Sequence, residues 1–369
     1  MNKANEHKAD YVLLIYFIIL LAFGLLMLTS ASAPLGYNKF GDKYFFIKRQ
    51  LLVGVLPGVF LFLYFSKFYY KKLAKYAGLI FIVTLLLSFL VFIPGIGSSL
   101  NTGAKSWIVI FGYSMQPAEF LKLGMIIFLA YQISRIKDDL TDFKKGFLPT
   151  LGLGLIPLAL VVLQPDIGTA SVLFAILFGI LFLGEAKLQH MALLAGAGIG
   201  GFVLMIIVAP YRAARFMTFL HPELDQLGVG YHINQAFLAI GSGGWLGRGL
   251  WGSVRKYEFL PEVNADSIFA IMAEEIGFLF TVAFIVLIML ICFRGLRIAK
   301  NAPDVFSKLL VSGIIIWFVS QSFFNIAAMV GLMPLTGLPL PFVSHGGTAL
   351  LIAMVSVGIL INVSKYTLE

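Results

Sequence analysis

The apolar residues of this chain gather in continuous runs of about 20, separated by short polar segments or by stretches rich in glycine and proline. At 1.5 Å per residue, a helical run of that length crosses roughly 30 Å of hydrocarbon. Lipid offers no partner to backbone N–H and C=O groups, so only helices and closed barrels span it; continuous rather than alternating apolarity selects helices. The pattern predicts about ten spans. They lie near Tyr11–Thr29, Phe46–Phe65, Leu73–Ile93, Pro117–Ile133, Phe147–Leu163, Thr169–Leu183, His190–Ala209, Ser267–Phe293, Val305–Val330 and Thr348–Val363. The expected fold class is therefore an all-α membrane protein with about ten transmembrane helices and long irregular extracytoplasmic loops. The chain, 1–369, reads as a single polytopic membrane domain.

The segments between runs are of two kinds. One set is short and basic: Lys67/Lys71/Lys72/Lys75, Arg135/Lys137/Lys144/Lys145 and Arg294/Arg297/Lys300/Lys308. Positive residues mark the cytoplasmic side of short loops, which predicts both termini inside. The other set faces outward: Pro94–Gln116, the long segment 210–266, and Gly331–Gly347 with its three prolines and four glycines. These are too elaborate for simple connectors.

Composition changes the picture in three ways. With 60% hydrophobic and 12% charged residues, no stretch is polar enough to form a soluble domain. The lone Cys292 excludes an intramolecular disulfide and a cysteine metal site. The net charge of +9 would suit nucleic acid, but the basic residues sit in short inter-helix loops as topogenic signals do, so no nucleic-acid partner is expected. Ser30-Ala31-Ser32-Ala33 after the first run imitates a signal cleavage site. The run before it is long for a signal peptide, so a retained helix is expected.

Four constellations carry candidate chemistry. Glu119 and Lys122, three apart within a span, share a helix face and read as a mutually neutralising pair, structural or functional. Asp166, in Gln164-Pro165-Asp166-Ile167-Gly168-Thr169, either caps the following helix or faces a polar cavity. The stretch Gly241–Asp266 combines glycines, whose backbone N–H groups can approach an anion, with Arg248, Arg255 and Lys256. Its Asp266 enters an apolar helix. It reads either as a helix N-cap with Ser267 beside it, or as a partly desolvated carboxylate suited to act as a base, with Glu262 nearby. The fourth is Pro334–Gly347, too broken for helix and too apolar for solvent. Its His345 reads as a hydrogen-bonding loop residue rather than a metal ligand.

In this order and spacing, the blocks resemble the SEDS family (shape, elongation, division and sporulation proteins). The resemblance runs from Leu28-Thr29-Ser30-Ala31-Ser32 through Gly103-Ala104-Lys105-Ser106-Trp107-Ile108 and Gln116–Lys122. It continues through Gln164–Thr169, Phe259-Leu260-Pro261-Glu262 and Ala273-Glu274-Glu275-Ile276-Gly277 to Ser344-His345-Gly346-Gly347. It implies a ten-helix glycosyltransferase of the bacterial cytoplasmic membrane that polymerises peptidoglycan. The nascent glycan is held on polyprenyl pyrophosphate and the acceptor is lipid II. The implied partner is a class B penicillin-binding protein, a transpeptidase. The compact run Gly247–Glu262 is similar to the division branch rather than the elongation branch, implying other divisome membrane proteins as partners and a septal location. On this resemblance Asp266 is the catalytic base, with Asp166 and Glu262 as reserve carboxylates. Arg248, Arg255, Lys256, Lys105 and Ser344 are the substrate-binding candidates, and no cofactor is certain, though a divalent cation, Mg or Mn, would suit a pyrophosphate leaving group. Two blocks depart from the family: Asn264-Ala265-Asp266-Ser267 stands where His-Thr-Asp-Phe is usual, and Ser344-His345 where Ser-Tyr is usual. A lipid II flippase and a non-catalytic scaffold for the transpeptidase remain alternatives.

Overall fold

A computed structural model describes residues 7–99, 104–110, 112–208, 210–225 and 228–368. Gly103, Ala209 and the first six residues, which belong to segments read above, lie outside the described residues. Helices form at all ten expected positions. We label them α1 (Tyr11–Phe40), α2 (Phe45–Lys67), α3 (Lys71–Phe92), α4 (Pro117–Ile136), α5 (Phe143–Leu163), α6 (Ile167–Leu183) and α7 (Leu188–Val208). After two short helices outside the bundle, α8 (Pro210–Leu220) and α9 (Val229–Gly243), come α10 (Ile268–Lys300), α11 (Val305–Met329) and α12 (Gly347–Ser364).

Among the described residues, eight of the ten expected helices are long and apolar enough to cross a membrane. The other two are α6, which has 17 residues, and α4, which carries Glu119 and Lys122 among its apolar residues. Both pack against α11, where neighbouring protein replaces lipid. α11 and α12 form the centre of the bundle, with 67% and 78% of their spanning windows buried, whereas only 11% of α7 is buried. The core is correspondingly large at the centre, with Trp317, Leu309, Leu310 and Ile314 of α11 all at 1% exposure or less.

Three sequence expectations are corrected. α1 does not stop at Thr29; it continues through Ser30-Ala31-Ser32-Ala33 to Phe40, and Ser30, Ala31 and Ser32 are buried. The segment that imitates a cleavage site is therefore helix interior. The outward loops are less irregular than expected. The first carries a three-stranded antiparallel meander, β1 (Gly97–Ser98), β2 (Trp107–Ile110) and β3 (Tyr113–Met115), with Ser98 opposite Trp107 and Val109 opposite Ser114. The long segment contains α8 and α9. Gly331–Gly346 stays without helix or strand, and its three prolines remove backbone donors.

α2 and α10 are interrupted where they meet the loops. Leu51–Val55 forms a π turn immediately before Pro57, whose missing N–H breaks the α ladder. α10 breaks at Gly277, which adopts φ 75°, ψ 179°. Only glycine takes that conformation without strain. A methyl group there would overlap the backbone of Leu246 and Gly247, so the break is also where the long loop crosses the helix most closely. The broken ends find partners: Phe278 N–H donates to Gly244 O at 2.8 Å, and Arg248 N–H to Glu274 O at 3.0 Å.

Candidate functional site

Asp266 lies in a turn just before α10. Three consecutive carbonyls of this turn are held from outside it. His345 N–H donates to Asn264 O (2.8 Å), the Ser344 hydroxyl donates to Ala265 O (2.5 Å), and Asn325 Nδ2 donates to Asp266 O (2.7 Å). Asn325 also donates to Leu338 O at 2.8 Å, and the Ser344 hydroxyl accepts from Leu340 N–H at 2.8 Å. Gln50, just before the π turn of α2, closes the frame by donating to Ser344 O (3.3 Å) and accepting from Gly346 N–H (3.0 Å). The proline-glycine segment thus clamps the aspartate turn between α2, α11 and α12.

Asp266 does not cap α10. The N-cap position is Ser267, and even its hydroxyl makes no capping bond. It meets His232 Nε2 of α9 at 2.6 Å and donates to Asp266 Oδ1 over a longer 3.4 Å. Burial, and then the negative charge of Glu262, push the Asp266 carboxyl up to about 7. Burial pushes His232 down to about 4, so it is neutral near pH 7. A carboxylate with a proton affinity near the working pH, on a fixed backbone, suits general base chemistry.

The basic loop beside it is built on two carboxylates at the top of α10. Glu274 and Glu275 are fully buried. Glu274 accepts from the Ser253 hydroxyl (2.6 Å) and from Val254 N–H (3.1 Å) and Arg255 N–H (3.3 Å), with Arg248 Nη1 at 3.8 Å. Glu275 accepts from the Ser30 hydroxyl (2.7 Å) and from Lys256 Nζ (2.7 Å). Lys256, expected beside a substrate anion, is instead buried inside this cluster. It donates also to Trp251 O at 2.9 Å, and with so little exposure its ammonium serves the loop rather than a ligand. Ser344 is corrected likewise: its hydroxyl is committed to Ala265 O and Leu340 N–H.

The guanidinium candidates fare differently. Arg248 remains 43% exposed, and Arg255 Nη1 donates to Gln235 Oε1 at 2.8 Å while its guanidinium lies over Phe259. A guanidinium has five donors, so these contacts leave donors for an anion. Lys105 is exposed in the meander, two residues ahead of β2, on a different loop from Asp266. Glu262 is exposed beside Asp266, with φ 50°. Asp166 follows its capping alternative: Oδ1 accepts from Thr169 N–H and Oδ2 from the Thr169 hydroxyl, each at 2.9 Å, and Gln116 Nε2 reaches Oδ2 at 3.3 Å.

The intramembrane pair forms as expected. Lys122 Nζ donates to Glu119 Oε1 at 2.8 Å and to Gln321 Oε1 at 2.7 Å, and lies over the Trp317 ring. Gln321 Nε2 in turn donates to Pro339 O at 2.8 Å, joining the pair to the proline-glycine segment. A cavity of about 20 Å³, lined in part by Glu119, Gln321 and Ser344, lies beneath that segment. Among the described residues, no group of three or more His, Cys, Asp or Glu side chains is arranged to enclose a metal ion. The divalent cation therefore has no cage of such side chains here, and no chemical step is assigned to it.

Sequence reasoning missed His232, Asn325, Gln321, Gln50 and the structural role of Glu274 and Glu275. Signals were present for some of them. Adjacent carboxylates in an apolar run are costly and mark a site, and Gln321 and Asn325 are four apart on one helix face. Gln50 and His232 reach their partners across 296 and 35 residues, and no local pattern encodes that.

These features define a polytopic helical membrane protein whose candidate site is a clamped carboxylate where a loop-built cap meets the bundle. The family model for cell cycle proteins of the FtsW/RodA/SpoVE type matches residues 11–369, and the chain belongs to that family, the SEDS proteins. It is 39% identical over 363 residues to stage V sporulation protein E of Bacillus subtilis, covering 98% of this chain and 99% of that protein. It is 37% identical over 358 residues to a probable peptidoglycan glycosyltransferase FtsW of Trichlorobacter lovleyi, covering 96% and 93%. Among solved structures it is similar to a chain of a peptidoglycan synthase complex that coordinates polymerization and crosslinking. That match has a TM-score of 0.78 at 25% identity and covers 96% of this chain and 97% of that one. It is also similar to the rod shape determining protein RodA of Thermus thermophilus, as a mutant, with a TM-score of 0.71 at 25% identity, covering 98% and 99%.

Proposed function

We propose that this protein is a peptidoglycan glycosyltransferase that polymerises lipid II at the outer face of the bacterial cytoplasmic membrane. Asp266 takes the proton from the acceptor sugar hydroxyl as that oxygen attacks the anomeric carbon of the glycan donor. The bond to polyprenyl pyrophosphate breaks with inversion. Arg248 and Arg255 stabilise the departing pyrophosphate. The observation that carries this reading is the Asp266 turn, fixed through three successive carbonyls, with its carboxyl pushed up to about 7. The names of the FtsW relatives support the reaction class. Both termini are cytoplasmic on this reading, because the basic connectors and the termini occupy the end of the bundle opposite Asp266, joined there by Arg294–Asp10 and by His7 N–H to Lys365 O. A class B transpeptidase is the partner, supported by the synthase-complex neighbour. Division, at the septum with other divisome proteins, is the cellular role we favour. The compact Gly247–Glu262 loop and the FtsW relatives support it, while the sporulation relative makes spore-wall synthesis the competing role.

The test is polymerisation of lipid II by the purified protein, with and without a cognate transpeptidase. Asp266→Asn is expected to lower the rate roughly 10²-fold or more, the usual scale for loss of a general base. Normal polymerisation by that variant would place the base elsewhere. The broken helix at Gly277 favours a second reading, a lipid II flippase, because discontinuous spans are common in transporters. Lipid II translocation in vesicles without polymer would select it.

A further inference from the structure

We propose that His232 and Ser267 are positioning residues for Asp266: imidazole Nε2–H holds the Ser267 hydroxyl, which directs its proton to Oδ1 and leaves Oδ2 as the oxygen that accepts the substrate proton. The inference rests on the reading of Asp266 as the base. It starts from a helix start that lacks its ordinary bond. Serine at an N-cap normally accepts from the backbone two or three residues on, and Ser267 does not. Its hydroxyl is fully buried and engaged with His232 at 2.6 Å and with Asp266 Oδ1 at 3.4 Å.

One hydroxyl has one proton, which fixes the direction of the chain. Against an ionised Asp266, the favourable arrangement has His232 donating and Ser267 passing its proton on to the carboxylate. The His232 ring is neutral near pH 7, so a single Nε2–H suffices. No charged side chain contributes to its downward displacement, which burial alone causes. Around Asp266, Glu262 in the same turn opposes ionisation, while Ser267 favours it. The groups reaching this turn from α11 and the proline-glycine segment are Asn325, Ser344 and the His345 backbone, which bond to carbonyls and not to the carboxylate. The serine-to-carboxylate contact is long at rest, as such bonds often are before substrate arrives.

Removing the hydroxyl removes a bond that favours the carboxylate, so the carboxyl must titrate higher. Ser267→Ala and His232→Leu are expected to move the acid limb of the polymerisation rate upward by about half a pH unit, roughly the worth of one weak hydrogen bond. That is about a threefold loss at pH 6, recovered at pH 8.5. His232→Gln retains an N–H donor of similar reach and is expected to restore the wild-type profile. The second measurement needs no activity: the full-length protein in detergent, carrying carboxyl-13C aspartate, is titrated by NMR, with Asp266 assigned by its loss in Asp266→Asn. A higher Asp266 midpoint in Ser267→Ala supports the proposal even if Asp266→Asn still polymerises, which would fault only the base reading. An unchanged midpoint in both Ser267→Ala and His232→Leu overturns it, whatever happens to the rate.

Discussion

At the scale of single residues, the decisive one is an aspartate whose charge the structure holds back. The Asp266 carboxyl sits at about 7 against an ordinary 3.8, displaced first by burial and then by Glu262. A base must be unprotonated, so wild-type polymerisation is expected to fall as pH drops below about 7 and to level off above it. A pH–rate profile flat between 5.5 and 8 would contradict that. Stability carries the opposite sign. Between the ordinary value and 7 the folded state binds more protons than the unfolded one, so this group weakens the fold as pH rises through that window. Asp266→Asn removes the buried charge without removing a cap, and is expected to melt at or above the wild-type temperature at pH 8. A fall in Tm there would mean that the ionised carboxylate supports the fold rather than weakening it.

At the scale of elements, two junctions set the site. α4 and α11 are tied by Glu119, Lys122 and Gln321 in the buried interior of the bundle. Truncating either partner strands a buried charge, at a cost of about 3–5 kcal/mol, whereas removing both strands none. Glu119→Ala, Lys122→Ala and the double variant are therefore expected to be far from additive in thermal unfolding, and additivity would mean that the two ions do not meet. The other junction is the crossing of the long loop over the break in α10. Gly277→Ala puts a methyl into the Gly247 backbone at a φ that only glycine tolerates. A loss of at least about 1–3 kcal/mol is expected, with the 244–256 loop cut faster by protease. Unchanged melting and cleavage would show that the crossing does not constrain the loop.

Across the whole molecule, function depends on which end faces out. Short basic connectors gather opposite the Asp266 turn, so the site end should lie outside the membrane's cytoplasmic face. Glu223 is a better probe than its neighbour Asp225, because Asp225 accepts from Gly228 N–H and Val229 N–H at the start of α9, while Glu223 is exposed. Glu223→Cys in a Cys292→Ser background is expected to react with an impermeant thiol reagent in intact spheroplasts. Labelling only after lysis would invert the topology and remove the proposed access to lipid II.

The sequence by itself determined the membrane class, the helix positions and the Glu119–Lys122 pair. Each depends on composition or on spacing within one helix, where 3.6 residues per turn makes neighbours calculable. It also marked Asp266, through the abrupt change from glycine-rich loop to apolar helix. The partners of that aspartate were decided only in three dimensions. Lys256 and Arg255 are adjacent in sequence, yet one is buried on Glu275 and the other bonds Gln235 beside Phe259. Ser344 looked like a substrate ligand and became a clamp on Ala265 O, because the proline-glycine segment folds back over the turn. Ser267, read only as the neighbour of a capping Asp266, takes the N-cap position and turns its hydroxyl to His232, 35 positions away in the chain. Hydrogen bonds are directional and short-ranged, so which of several eligible partners a polar group takes is fixed by packing of distant segments. Apolar burial is non-directional, which is why the bundle could be read from the pattern of the chain and the site could not.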